Sequence, residues 1–196
     1  MTKDLQQKIL QTAKELFARK GYKDTVLPDI SSHLNIGKST LYHYFESKED
    51  IYKCAVEDEI EHYIARIEQI FNDESHPLQV RLRQYLTLKE TLTEHFPVLA
   101  QSLSDFMRKS NPIYLKDIIR GMLAREEHIL QLVVSAIKTS SPEFSSSLPL
   151  RFFPLSLFLY LNISLVSRDL KEEGEQDPDS TLITKALLKL FNLPEH

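Results

Sequence analysis

Asn35-Ile36-Gly37 is a three-residue break between two short apolar-patterned stretches, and it limits the N-terminal fold more than any other feature of the chain. Asn tolerates the left-handed conformation, so position 35 can turn the backbone. Gly37 can serve as a weak N-cap for a helix beginning at Lys38. Ile30 and Leu34 lie before the break, Leu41 and Phe45 after it. Pro28 suits a helical first turn, where its missing N–H does no harm, and Thr25 is a candidate capping residue. The pattern predicts short helices over 28–34 and 38–44. A longer helix over 3–20 should precede them, because Leu5, Ile9, Ala13, Leu16 and Phe17 recur at helical spacing. Gly21 stands where a left-handed C-terminal cap belongs, behind Arg19 and Lys20, which suit the negative end of the dipole.

The rest of the chain reads as helices too. Ser47-Lys48-Glu49-Asp50 is similar to a capping box and opens a fourth helix that should reach about Phe71. Breaks at 72–77, 95–97 and 110–112 bound helices at 78–94, 98–109 and 113–138. A Ser-rich loop comes next, then a strongly apolar helix over 148–172, bent near Pro154, a charged loop, and an amphipathic helix over 181–191. Only four glycines occur in 196 residues, and no stretch alternates with a strand's period. The expected fold is all-α with about nine helices. Residues 1–47 form a three-helix head, and residues 48–196 form a connector helix plus a helical-bundle body.

Composition excludes several classes. The single cysteine, Cys54, rules out an intrachain disulfide and suits a reducing cytoplasm, the expected location. Residues 1–12 lack the apolar core of a secretory signal. Residues 152–166 carry no charge, but 15 residues fall short of the ~20 that a spanning helix needs. A buried helix or a subunit interface is the expectation there, not a membrane segment. The formal charge is −4. Residues 1–52 hold eight Lys and Arg against seven Asp and Glu, and the remainder holds sixteen against twenty-one. The head is thus +1 and the rest −5. Any contact to a polyanion must come from a few placed groups, not from a diffuse field.

The head has the parts of a helix-turn-helix, which lays its second helix in the major groove of DNA. Phe17, Tyr22, Ile30, Leu34, Ile36, Leu41 and Phe45 supply an interior. Lys38, Ser39, Thr40, Tyr42 and His43 supply cationic and polar groups for base edges and phosphates. Tyr44 is shared between core and backbone contact, and Lys48 is placed to reach a flanking phosphate. Ile9-Leu-Gln-Thr-Ala13-Lys-Glu-Leu16-Phe17-Ala-Arg-Lys-Gly21-Tyr22, then Ile30, then Leu34 to Phe45, then Lys48-Glu49, resembles the head of the TetR family of one-component bacterial regulators. The resemblance covers about Lys8 to Ile51. It implies an all-helical homodimer, each head reading half of a near-palindromic operator in double-stranded DNA, with a body that binds a small-molecule inducer. The expected DNA-contact set is Thr25, Lys38, Ser39, Thr40, Tyr42, His43, Tyr44 and Lys48. Asn35 stands where the family usually has Gly, Gly37 where it has Ser or Thr, Val26 where it often has a hydroxyl residue, and Ser31 where Ala is frequent.

Beyond residue 52 the resemblance is architectural. The helices at 148–172 and 181–191 suit the family's dimer interface, and they also suit an ordinary core. Tyr85, Phe106, Met107, Met122, Phe158 and Asn162 are candidates by type for an effector pocket; ordinary packing is the alternative for each. The seven histidines are scattered, and none makes a metal spacing with Cys54, so neither metal nor cofactor is expected. Cys54 is read as packing before redox sensing, and Glu126-Glu127-His128 as a solvated face. No phosphate loop, nucleophile elbow or catalytic carboxylate pair is visible, so the chain is expected not to be an enzyme. The reading is a repressor released by a small molecule. The alternatives are a DNA-binding protein of the same fold that answers to a protein partner or needs no effector, and, behind it, an all-α enzyme.

Overall fold

The structure, a computed structural model, describes residues 2–107 and 113–140. Among the described residues every regular element is an α-helix: α1 Thr2–Asp24, α2 Leu27–His33, α3 Lys38–Tyr44, α4 Lys48–Asn72, α5 Leu78–Glu90, α6 Leu92–His95, α7 Pro97–Met107 and α8 Ile113–Ser140. The expected helices at 148–172 and 181–191 lie outside the described residues. So does the uncharged stretch at 152–166. No described helix is long and apolar enough to cross a membrane.

Two compact units divide the chain: Met1–Tyr63 with Leu92–Met122, and Ile64–Thr91 with Leu123–His196. In the first, α1 packs against α2 and α7, and α2 against α3. Ile9, Ala13, Leu16, Phe17, Ile30, Leu41, Phe45, Ile51 and Leu99 are buried. Each large aliphatic or aromatic side chain removed from water contributes about 1.5–3 kcal/mol, so these positions hold the short helices that propensity alone would leave unformed. α7 is anchored at its start by α4: the buried carboxylate of Glu59 accepts the Leu99 N–H at 2.8 Å, satisfying a first-turn donor of α7. Burial pushes the Glu59 carboxyl above the usual carboxylate range, against the lowering effect of the Leu99 N–H and Lys14.

In the second unit, Ile67, Ile70 and Phe71 of α4, Leu82, Tyr85 and Leu86 of α5, and Leu130 of α8 are buried. The rings of Phe71 and Tyr85 stand 5.6 Å apart. A polar cluster is buried with them. Lys89 and Glu126 are 2% and 0% exposed and pair at 2.8 Å, and the Tyr85 hydroxyl donates to the same carboxylate at 2.6 Å. Glu126 is therefore not part of a solvated face. A lysine and a tyrosine one turn apart on α5 give it the partners that burial of a charge requires.

Several boundaries shift from those the sequence suggests. α1 continues to Asp24 through a break at Gly21, whose φ is 79° and ψ 165°. The turn to positive φ is where the sequence placed it, but the residue is extended in ψ and not in the left-handed helical well. Residue 26, not Thr25, is the N-cap of α2; Val26 offers no side-chain acceptor, and Asp29 reaches back to its N–H at 3.4 Å. The helix expected over 78–94 ends at Glu90: Thr91 leaves the helical well at φ −98°, ψ 16°, with its hydroxyl on the Thr87 carbonyl at 2.8 Å.

Candidate nucleic-acid interface

α3 occupies Lys38–Tyr44, the range its pattern predicts. Its inward side is fixed by Leu41 and Phe45, both buried. Helical spacing then sets the outward side. Lys38 and Tyr42 are one turn apart, as are Ser39 and His43, and all four are exposed, Tyr42 by 46%. Thr40 and Tyr44 are half-buried. The Lys38 ammonium stands 5.6 Å from the centre of the Tyr42 ring, and the His43 and Tyr44 rings meet edge-on at 5.2 Å. The strip presents one cation, one hydroxyl, one imidazole and a phenol, the groups that pair with phosphates and base edges.

The turn that aims α3 is built as its residues require. Asn35 takes φ 58°, and its N–H donates to the Ser32 carbonyl at 3.2 Å. The Ile36 N–H donates to the Ser31 carbonyl at 3.0 Å. Gly37 caps α3 with its carbonyl alone, receiving the N–H groups of Thr40 and Leu41 at 3.0 and 3.2 Å. α2 is tied to α1 by Lys20 and Asp29 at 3.0 Å. That lysine, with the Val26 N–H, holds the Asp29 carboxyl below its ordinary value.

Two of the expected contact residues face inward. Thr25 is 0% exposed, and its hydroxyl donates to the carbonyls of Gly21 and Leu16 at 2.8 and 3.3 Å. Lys48 directs its ammonium at the carbonyls of Tyr22, Thr25 and Lys23, at 2.9, 3.0 and 3.4 Å. It also lies over the Tyr22 ring, 4.3 Å from its centre. The Tyr22 hydroxyl in turn donates to Glu49 at 2.9 Å. Burial and that acceptor raise the Tyr22 phenol well above its ordinary value. Tyr22 and Glu49 were not among the expected site residues. The signal available was the aromatic after Gly21, facing a Lys-Glu pair at a helix start.

Of the effector candidates, Tyr85 lies in the second unit, fully buried, with its hydroxyl committed to Glu126. Phe106, Met107 and Met122 fall in the first unit, Phe106 half-buried and Met122 buried. Phe158 and Asn162 lie outside the described residues. Cys54 is half-buried, and burial together with Asp50 and Glu57 pushes its thiol up, away from the reactive thiolate. Among the described residues no three His, Cys, Asp or Glu side chains gather as metal ligands.

An exposed polar strip on the second helix of a tight corner, braced by a buried three-helix core, defines a helix-turn-helix protein with an all-helical body. Residues 9–54 match the family described as "Bacterial regulatory proteins, tetR family". The head of the chain is thus similar to the DNA-reading head of that family. IcaR, the negative transcriptional regulator of the biofilm operon icaADBC in Staphylococcus epidermidis, is 42% identical over 60 residues, 31% of this chain and 32% of IcaR. IcaR of Staphylococcus aureus strain Newman is 44% identical over 52 residues, 26% of this chain and 28% of that protein. The chain thus matches about a third or less of the length of these curated relatives. Solved structures extend the likeness of fold. FadR of Bacillus subtilis, in complex with stearoyl-CoA, aligns with a TM-score of 0.65 at 22% identity, over 85% of this chain and 90% of FadR. Reduced NemR of E. coli aligns with a TM-score of 0.67 at 15% identity, over 85% and 88%. The matched proteins are transcriptional regulators, not enzymes.

Proposed function

We propose that this chain is a DNA-binding transcriptional regulator of the cytoplasm, acting as a repressor on a near-palindromic operator and released by a small-molecule effector. The observation that carries this reading is the exposed strip Lys38, Ser39, Tyr42 and His43 on a helix whose opposite side is pinned by Leu41 and Phe45. Thr40 and Tyr44 flank it. Residues 1–47 are the DNA-reading head in this proposal, and residues 48–196 carry effector binding and the homodimer contact, the latter at 148–172 and 181–191. Two heads reading one site need such a dimer, with half-sites about 34–36 Å apart or a multiple of that.

Repression is supported by the likeness to IcaR, named as a negative regulator. A small-molecule effector is supported by the likeness in fold to a FadR chain solved with stearoyl-CoA. Selection of duplexes from a random-sequence pool by the full-length protein, followed by footprinting upstream of its own gene, tests the reading. A protected site with two-fold symmetry is expected. Recovery of no preferred sequence would remove the proposal. Addition of a long-chain acyl-CoA to the bound duplex tests the effector part; unchanged binding would exclude that class of compound and leave operator recognition standing.

A further inference from the structure

We propose that Lys48 is a positioning residue that clamps the α1–α2 connection and so aims α3, and that it makes no phosphate contact. The proposal rests on the DNA-binding reading above. An ammonium has three N–H donors and no more. Here three carbonyl oxygens converge on it, at 2.9, 3.0 and 3.4 Å, from Tyr22, Thr25 and Lys23. The Tyr22 ring also lies against the group, its centre 4.3 Å from the nitrogen. A phosphate oxygen would have to displace one of these acceptors, and Lys48 is half-buried where it stands.

The acceptors explain why a cation is needed at that place. The chain leaves regular helical dihedrals at Gly21 and enters α2 at Leu27. Carbonyls at a helix end lack the intrahelical donors that the interior supplies. They carry partial negative charge, which a cation stabilises. Thr25 turns its own hydroxyl back to Gly21 and Leu16, so the same connection is held from both sides. Tyr22 completes the arrangement, since its ring lies under the ammonium and its hydroxyl binds Glu49, the residue next to Lys48. The start of α4 is therefore fastened to the end of α1 by two adjacent side chains. α2 continues directly from the clamped connection, and α3 continues from α2 through the Asn35 turn. A change in the clamp alters where α3 points without touching α3 itself.

The test compares Lys48→Met and Lys48→Arg in the full-length chain. Met keeps the stem and removes the charge. Arg keeps the charge but spreads its donors over a planar fork that does not match three acceptors converging on a point. The probes are a duplex recovered by the wild-type protein from a random-sequence pool and a scrambled duplex of the same composition. For a clamp, both variants bind the recovered duplex about ten-fold or more weakly, the loss expected when hydrogen bonds to a charged group are removed. Binding to the scrambled duplex and the slope of log K against log salt stay at their wild-type values. A purely structural role would leave the ratio of the two affinities unchanged below the melting transition, and that result overturns the proposal. So does the phosphate-contact pattern: Lys48→Met weakening both duplexes alike with a slope smaller by about one, while Lys48→Arg binds as wild type. If Lys48→Met does not fold, Lys48→Arg decides. If the wild-type chain recovers no duplex, the DNA-binding reading fails separately. Amide exchange over residues 25–30 of Lys48→Arg then decides the clamp: faster exchange supports it, and wild-type exchange overturns it.

Discussion

At the scale of single residues, the head departs from the tetR-type pattern it resembles at positions whose cost can be measured. Gly37 caps α3 without a side-chain acceptor. A Cβ there would meet Ser39 Oγ at 3.6 Å and Thr40 Oγ1 at 3.8 Å, ordinary contacts, and φ is negative. Gly37→Ser should add a hydroxyl acceptor for the Thr40 N–H and raise stability by a few tenths of a kcal/mol, read from the denaturant midpoint. A lower midpoint would mean that the cap geometry does not admit the hydroxyl. Glu49 offers a second measurement. Its own backbone N–H, then the Tyr22 hydroxyl, hold its carboxyl below the usual value. A lowered carboxyl adds stability above the unfolded chain's carboxylate range and loses it as pH falls through the folded value. Tyr22→Phe removes one donor, so the Glu49 pKa should rise toward its ordinary value in a carboxyl NMR titration. The turn itself was legible, since Asn35 announces its positive φ by residue type. The role of Lys48 was not, because its acceptors are backbone carbonyls that no residue type marks and that lie 23 to 26 positions earlier.

Among elements, the head helices and their order could be read because each carries a local signal: a stripe, a proline at a start, a turn residue at an end. The α5–α6 division and the burial of Glu126 carried none. Thr91 is a weaker helix former than Glu90 and Leu92, but Thr87 inside α5 and Thr93 inside α6 are the same residue type, so type alone marks no end at position 91. Glu126 looks like any acidic residue on an amphipathic helix until Lys89 and Tyr85, on another helix, are placed beside it. That placement predicts a large effect. Glu126→Ala leaves a lysine buried without its carboxylate and should cost about 3–5 kcal/mol in chemical denaturation, whereas the pair Lys89→Met with Glu126→Leu should fall much closer to wild type. Equal losses in both would show that packing at these sites, not the charge, sets the cost. At the other buried carboxyl, Glu59, the folded state holds a proton that the unfolded chain gives up sooner. This contribution is complete below the unfolded carboxylate's pKa and is lost as pH rises through the raised folded value. Glu59→Gln should flatten that fall in stability across a pH series; an unchanged fall would assign it to other groups.

For the whole molecule, the charge distribution restricts how DNA can be held. The first 52 residues are close to neutral, and the other 144 carry the negative excess. Within the head, Lys14 is paired with Asp58 at 2.8 Å, Lys20 with Asp29, Lys8 with Asp4, and Lys48 is enclosed by carbonyls. Besides the paired Lys20, the exposed cations nearest α2 and α3 in the chain are Arg19, Lys23 and Lys38. If all three met phosphates in each half of a dimer, six counterion sites would be released, and log K would fall with log salt at a slope of about −5. The proposed regulator should therefore show a slope no steeper than that on its recovered duplex, with specificity drawn from Ser39, Tyr42 and His43 and doubled by symmetry, not from a long-range positive field. A titration of the dissociation constant between low and physiological salt measures it. A distinctly steeper slope would require the paired lysines to leave their carboxylates on binding, and the head would then be reshaped by DNA, not preformed for it.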